Sequence, residues 1–432
     1  MESKSSLVIN KTETKPVQIE DEIFKNTSIV TGDSNTTVNF LPIIDKFSYL
    51  NKQSDDVALL LLPVLVFLGA LMIIGILGNG LVLYVHIAKF KSSSTRNYVI
   101  ALAILDLLSC CLGLPGEMVD LRFSFTFYSD VLCRVMRVAT TFASVASGIT
   151  LVAVSIDRYC RICRPLKVQI SRRGTIKMIV GSCGIAILFT WPTVVIYGTM
   201  TVKTGIPGVY GSECSTSDVI KNTKYPIVYN GILFLFFISS FSLMTILYIF
   251  IAKKVVSQSK FRQKITESEK PSRSRSLTGS DKMIKLDREP EAHSYADEQQ
   301  SEYSIASLDP PRKGVIRKSS SFKKFQKTQR DTRMLKTTFM LFLISLVFML
   351  SFLPHVLLKS IRAFNKQFVS QPTTSVLVTY NIFVRSYFIN SVANAFIYGF
   401  CSPRFRQECQ SIFKVLICKR KYNNWFVSGV KQ

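Results

Sequence analysis

Apolar residues in this chain gather into seven long runs divided by polar stretches. They cover about 57–88, 97–119, 130–160, 177–200, 225–252, 335–358 and 373–400. A helix needs about 20 such residues to cross a bilayer, and every run is long enough. The pattern predicts an all-α membrane protein built as a seven-transmembrane helix bundle. Runs three and seven carry the most polar residues, which predicts that they line the bundle interior. Residues 1–55 and 253–334 lack the apolar surface to form a core and are expected to be disordered. After run seven, residues 401–432 begin with a stretch of amphipathic pattern, CSPRFRQECQSIFKVLICKRK. It predicts a short eighth helix along the membrane surface, with Phe400, Phe405, Ile412, Phe413 and Leu416 toward lipid and the basic residues toward headgroups. The chain is thus parsed as a tail (1–55), helices one to five (56–252), a long loop (253–334), helices six and seven (335–400) and a terminal segment (401–432).

Charge gives the bundle a direction. The formal net charge is +26, and mean hydropathy is positive. The basic residues sit in loops beside the spans, which points to a membrane surface and argues against nucleic acid as a partner. Lys89, Lys91 and Arg96 follow run one, and Arg161, Arg164, Lys167, Arg172 and Arg173 follow run three. The loop after run five and the tail after run seven are also basic, whereas DLRFSFTFYSD between runs two and three is not. The positive-inside rule therefore places the N-terminus outside and the C-terminus in the cytoplasm of a multi-pass plasma-membrane protein. Three glycosylation sequons, at Asn10, Asn26 and Asn35, agree with an external tail. The first twenty residues hold no signal-peptide core, so the first span is expected to act as its own insertion signal.

Ten cysteines are scattered without repeated metal-ligand spacing, which argues against a zinc site. No HExxH, nucleophile elbow or phosphate loop is present, so an enzyme is not expected. In the long loop, PSRSRSLTGS and VIRKSSSFKK put serines after basic residues, as basophilic kinases require; a solvated basic linker would look the same.

Ionisable residues within or at the end of an apolar run are costly and mark candidate sites. Asp106 lies inside run two, in LAILD, and Asp157 and Arg158 close run three, in SIDRYCRICRPL. Run one holds GNGLVLY with Asn79, and run three begins near Cys133. From Cys133 to Arg158 is 25 residues, about 37 Å of helix, enough to cross the bilayer. Run five has Tyr248, run six FMLSFLP with Phe348, Phe352 and Pro354, and run seven NAFIY from Asn394 to Tyr398, then SPRFRQEC. In this order and spacing the motifs resemble the rhodopsin-like (class A) G-protein-coupled receptors, over roughly 57–260 and 330–420. The long third inner loop and the CRPL of the second are similar to cholecystokinin- and orexin-like neuropeptide receptors.

The resemblance implies roles for particular residues. Asp157, Arg158 and Tyr159, with Tyr248 and Tyr398, form the switch that meets a heterotrimeric G protein. Phe348, Phe352 and Pro354 form the activation core. Asp106, Ser147, Asn390, Ser391 and Asn394 surround an allosteric sodium ion, or else form a hydrogen-bond network without one; no other cofactor is implied. Cys133 and Cys214 form a disulfide. Cys418 is a palmitoylation site or an unmodified thiol. The remaining implied partners are an extracellular ligand, receptor kinases, arrestin and membrane lipids. Several positions depart from the family pattern. Helix four has its tryptophan at Trp191, Ser240 replaces a proline on helix five, Phe352 replaces a tryptophan on helix six and Ala395 replaces a proline on helix seven. The inner end of helix six offers no acid to Arg158, which leaves Asp157 as its partner and leads to an expectation of measurable basal signalling.

Amine receptors carry an acid where this chain has Thr140, and opsins carry a lysine near the position of Phe388. Neither is present, which implies a ligand that is neither an amine nor retinal. The expected ligand is a peptide. Its site would draw on Glu117 and Asp120 from run two, Arg134, Arg137 and Thr140 from run three, His355, Lys359 and Arg362 from run six, and Arg385 and Tyr387 from run seven. The basic excess favours acidic side chains or a free carboxylate on the ligand. Some of these charges would face headgroups or loops instead. A lipid or other small non-amine ligand is the alternative within the class. A seven-span transporter or channel is the alternative outside it, and would need a continuous polar path or broken helices.

Overall fold

Proline and capping chemistry set most of the helix boundaries. The computed structural model describes residues 43–167, 169–268, 316–364, 373–412 and 414. Helix α1 (Ile43–Leu60) and α2 (Leu62–Ala88) meet at Leu61, just before Pro63. Ser93 caps α3 (Ser94–Leu108), its hydroxyl accepting from Arg96 N at 3.2 Å. The Arg96 side chain then donates to the carbonyls of His86 (2.6 Å) and Ile87 (3.2 Å), satisfying acceptors that the end of α2 leaves open. A π-turn, Ser109–Gly113, separates α3 from α4 (Leu114–Arg122). Pro115 lacks the N–H that would continue the regular ladder, and a widened turn is one way to absorb that loss.

Ser129 caps α5 (Asp130–Cys163) and Ser171 caps α6 (Arg172–Thr190), each accepting a backbone N–H three residues on. Pro192 opens the short α7 (Pro192–Ile196), after which the β-branched run turns into strand β1 (Tyr197–Lys203). β1 pairs antiparallel with β2 (Tyr210–Thr216), Tyr197 opposite Thr216 and Lys203 opposite Tyr210. The turn between them uses Gly208 at φ 81°, a conformation open to glycine. A third segment joins the free side of β2. Ser212 N donates to Phe125 O (2.8 Å) and Phe127 N to Ser212 O (2.9 Å). Residues 197–200, expected to end the fourth helix, belong to this hairpin.

Helix α8 (Tyr225–Ser268) has 44 residues and α9 (Ile316–Phe364) has 49. Pro354 lies inside α9 and removes one ladder bond. The seventh run is α10 (Thr374–Val384), a 3-10 turn (Ser386–Phe388) and α11 (Ile389–Cys401). Helix α12 covers 403–412. Among the described residues six helices are long and apolar enough to cross a membrane, and the two-part seventh run is shorter and interrupted. Large apolar side chains such as Leu77, Leu188 and Leu235 face outward, whereas Asn79, Asp106, Ser147, Asn390 and Asn394 are buried. That inversion suits a lipid surround.

The chain divides into two compact units, residues 1–254 with 336–432, and residues 255–335. In the second unit the described residues are helical, at 255–268 and 316–335. Helix therefore continues into both ends of the segment expected to be a disordered loop. Neither stretch contains glycine or proline, and both are rich in Lys, Gln and Arg, which favour helix. Helix α1 likewise starts within the expected tail, directly after Pro42. Phe405 also differs from expectation. It is buried against His86 and Tyr398, with ring centroids 5.8 and 6.4 Å away, and does not face lipid.

Close packing in the first unit depends on particular glycines. A Cβ on Gly116 would lie 2.8 Å from Met136 Sδ and 2.9 Å from its Cβ. Gly116→Val is expected to destabilise the bundle by about 1–3 kcal/mol, the usual cost of overpacking. A thermal melt of the purified protein in detergent reads this directly, and an unchanged midpoint would show that α4 can move away from α5.

Candidate functional site

At the Cys133 end of the bundle, an ionic cluster joins three helices and the hairpin. Glu117 on α4 is buried and accepts from Arg137 Nη1 on α5 and from Arg385 Nε at the end of α10, both at 2.8 Å. Arg137 Nη2 also reaches Asp120 Oδ2 (3.3 Å) and the carbonyl of Cys214 on β2 (3.1 Å). Its guanidinium lies 5.8 Å from the Tyr197 ring on β1. Arg385 Nη1 donates to Asn381 Oδ1 at 2.7 Å. Cys133 and Cys214 are disulfide-bonded, so the hairpin that supplies these contacts is tied to the start of α5. Two buried acids facing two arginines is an arrangement that tolerates burial only because both charges are paired.

The structure brings Glu117, Asp120, Arg137 and Arg385 together, but to each other rather than to an open mouth. Lys359 lies within electrostatic range of Glu117. His355 bonds the carbonyl of Val384 and stands edge-on to Tyr387, centroids 4.7 Å apart. Arg362 donates to Tyr380 Oη at 3.1 Å. Thr140 donates to its own helix, at Met136 O (2.9 Å), and borders a small void with Gly113, Gly116 and Glu117. Arg134 does not join them. It pairs with Asp130 one turn earlier (2.7 Å) and with Val194 O (2.9 Å).

Beneath this lies an aromatic layer. Phe352 stacks on Phe237 (5.0 Å) and packs at a tilt against Phe348 (4.5 Å) and Tyr387 (5.5 Å). It fills the place where the family pattern has a larger ring. Ser240, in place of a proline, donates to Phe236 O at 2.8 Å, a back-bond that can bend a helix. Ser386 Oγ donates to Ser351 O (2.7 Å), tying the 3-10 turn to α9 next to Pro354. Ala395, also in place of a proline, faces Gly78 closely: a Cβ on Gly78 would lie 2.7 Å from it.

The polar centre is built around Asp106, which is 1% exposed. Its Oδ2 accepts from Asn394 Nδ2 at 2.6 Å, and Ser391 bonds the same carboxylate. Asn79 Nδ2 donates to Ser391 O (2.5 Å). The side-chain oxygens of Asn390 and Asn394 are buried without a hydrogen-bond partner among the described residues. Ser147, Asn390 and Ser391 line a void with Phe348 and Phe352. One carboxylate, hydroxyls and unpaired amide oxygens form a donor set that fits a hard cation.

At the opposite end, Asp157 is fully buried and Arg158 is 3% exposed. Arg158 Nη2 donates to Asp157 Oδ2 (2.6 Å) and to Thr95 Oγ1 (3.0 Å). Arg158 thus has a second partner on α3, which pattern reading had not assigned. Arg161 binds the same Asp157 carboxylate through Nε (2.8 Å) and Nη2 (3.0 Å). The i, i+4 spacing of Asp157 and Arg161 was the signal that could have found this pair. Tyr159 stacks edge-on to Phe250 (6.2 Å). Tyr248 Oη shares a hydrogen bond with Ser345 Oγ (3.0 Å), whereas the buried Tyr398 Oη has no partner among the described residues. Asn10, Asn26, Asn35 and Cys418 lie outside the described residues.

Comparison with known proteins supplies the lineage. The chain is 31% identical to the mouse neuromedin-U receptor 2 over 46% of this chain and 50% of that protein. It is 33% identical to the human neuropeptide S receptor over 33% of this chain and 38% of that protein. It is 30% identical to the mouse trace amine-associated receptor 1, over 34% and 44% respectively. The chain therefore spans half or less of the length of these relatives. The family model for the 7 transmembrane receptor (rhodopsin family) matches residues 78–398, well over half of the chain, and the protein belongs to that family of receptors.

Proposed function

We propose that the chain is a plasma-membrane receptor whose Cys133 end faces outward, binds an extracellular peptide and activates a heterotrimeric G protein at its Asp157 end. The observation that carries this reading is the Glu117–Arg137–Arg385 cluster. It joins α4, α5 and the end of α10 to the disulfide-held hairpin, so one ligand touching it would act on all four elements together. Two relatives named as neuromedin-U and neuropeptide S receptors support a peptide. A trace amine-associated receptor is also similar, but Thr140 stands where an amine receptor would place its acid. The basic surplus of Arg137, Arg385, Lys359 and Arg362 over Glu117 and Asp120 favours a ligand with an acidic group.

Signalling follows as a population shift. The ligand binds better to the arrangement in which the Asp157 end is open, and the G protein binds that same arrangement. Each then raises the other's affinity by the same factor. Receptor kinases and arrestin are partners of the cytoplasmic face, basophilic kinases act on the serines of the long inner loop, N-linked glycans sit on Asn10, Asn26 and Asn35, and Cys418 is palmitoylated beside the lipid headgroups. A calcium assay in cells carrying the receptor and a promiscuous G protein, exposed to peptide and amine panels, tests the reading. A saturable nanomolar response to one peptide upholds it; an amine response with silence to peptides rejects it.

Sodium belongs to the same proposal. Asp106, Ser147, Asn390, Ser391 and Asn394 would hold the ion, which supplies a positive charge that stabilises the resting arrangement. Asp106→Asn is expected to remove the dependence of agonist affinity on sodium concentration, measured in membranes from low to physiological sodium. Unaltered dependence would assign these residues to a hydrogen-bond network alone.

A further inference from the structure

The carboxylate of Asp157 serves two arginines, and it serves them unequally. Arg161 grips it with two parallel bonds, Nε to Oδ2 at 2.8 Å and Nη2 to Oδ1 at 3.0 Å. A two-pronged guanidinium–carboxylate pair is the stronger geometry. Arg158 has a single bond to that carboxylate, at 2.6 Å, and it falls on Oδ2, the oxygen Arg161 Nε also uses. Its other side-chain hydrogen bond among the described residues is with a neutral hydroxyl, Thr95 Oγ1 at 3.0 Å. Arg158 Nε is buried with no hydrogen-bond partner among the described residues. Arg161 is further fixed by donating to Ile170 O at 3.1 Å, just before α6. The switch arginine is therefore held by part of one carboxylate, while a better-bound neighbour holds the rest.

We infer that Arg161 is a positioning residue that weakens the resting hold on Arg158 by competing for Asp157, and so sets the receptor's ligand-independent activity. This rests on the G-protein coupling proposed above. The competition has two components acting in one direction. Arg161 occupies Oδ1, which Arg158 would otherwise use for a second bond. Its positive charge also opposes a second cation nearby, and in a buried setting that opposition is poorly screened. Without Arg161, Asp157 can turn both oxygens to Arg158, and the resting arrangement deepens. The G-protein-binding arrangement then becomes rarer, and apparent affinity for the G protein falls in proportion.

The test uses the full-length receptor, purified without ligand into lipid nanodiscs. Its affinity for nucleotide-free heterotrimers of each Gα class is measured for wild type, Arg161→Ala, Arg161→Lys, Arg158→Ala, Asp157→Asn and the double variant Asp157→Asn with Arg161→Ala. Arg161→Ala is expected to weaken G-protein binding by about fivefold. Arg161→Lys, which keeps the charge without the fork, should restore part of the loss. In the Asp157→Asn background the Arg161→Ala effect should vanish, which a merely structural role for Arg161 would not produce. Unchanged or tighter binding in Arg161→Ala, while Arg158→Ala abolishes binding, overturns the inference and leaves the coupling intact. An Arg161→Ala loss that persists in the Asp157→Asn background also overturns it. Failure of both wild type and Asp157→Asn to bind any heterotrimer rejects G-protein coupling itself, and this inference with it.

Discussion

Arg158→Ala is expected to abolish nucleotide exchange on the G protein while leaving ligand affinity measurable. Arg158 sits at the far end of α5, 25 residues beyond Cys133, or about 37 Å along the helix. It touches Thr95 and Asp157 and makes no contact with the Glu117 cluster. A ligand bound at the Cys133 end therefore loses no direct partner. The G protein loses a guanidinium that, once released from Asp157, can reach out of the bundle with several fixed donors. Truncating a central interface arginine of this kind typically costs at least about 2 kcal/mol, or roughly thirtyfold. Exchange rates on purified G protein, at matched receptor amounts, measure this. A rate equal to wild type would remove Arg158 from the switch. Loss of ligand binding together with signalling would mean instead that the variant had lost its fold.

How much of this was legible in the sequence depends on the range of the interaction. The seven runs, the placement of Asp106 and the Asp157–Arg158 pair follow from hydropathy and from the cost of charge in lipid, and helices with those residues buried are what formed. The Cys133–Cys214 bridge came through the family resemblance and is present. Partners across helices were harder to see. Nothing local marks Thr95 as the hydroxyl that meets Arg158, or Asn381 as the amide that braces Arg385. The rim charges were found as a set, yet pattern alone could not say that Glu117 would be shared by Arg137 and Arg385 within the protein. Segment ends also escaped. Residues 43–56 and 253–268 are helical because nothing in them stops a helix, and low apolar content does not by itself end one. The hairpin at 197–216 was hidden inside an apolar stretch, since short buried strands and helices share that composition.

Glu117→Gln carries the largest expected loss of stability, and its reversal is the sharper test. Glu117 is buried with Arg137 and Arg385 each 2.8 Å from a different carboxylate oxygen. The glutamine removes the negative charge and turns one acceptor into a donor, which faces an arginine that already donates. Breaking a buried pair from one side typically costs about 3–5 kcal/mol, because the remaining charge stays buried without compensation. The two arginines do not suffer equally. Arg137 keeps Asp120 and the Cys214 carbonyl. Arg385, 5% exposed, keeps only the neutral oxygens of Asn381, at 2.7 and 3.4 Å, as side-chain hydrogen-bond partners among the described residues. Most of the penalty should therefore fall on Arg385. Glu117→Gln combined with Arg385→Gln is then expected to melt higher than Glu117→Gln alone, since removing the second charge relieves the stranded one. Two independent losses would instead add. Thermal melts of the ligand-free receptor in detergent decide between these outcomes: a double variant that melts lower than either single variant would show that Glu117 and Arg385 are not an ion pair holding α4 and α10 together.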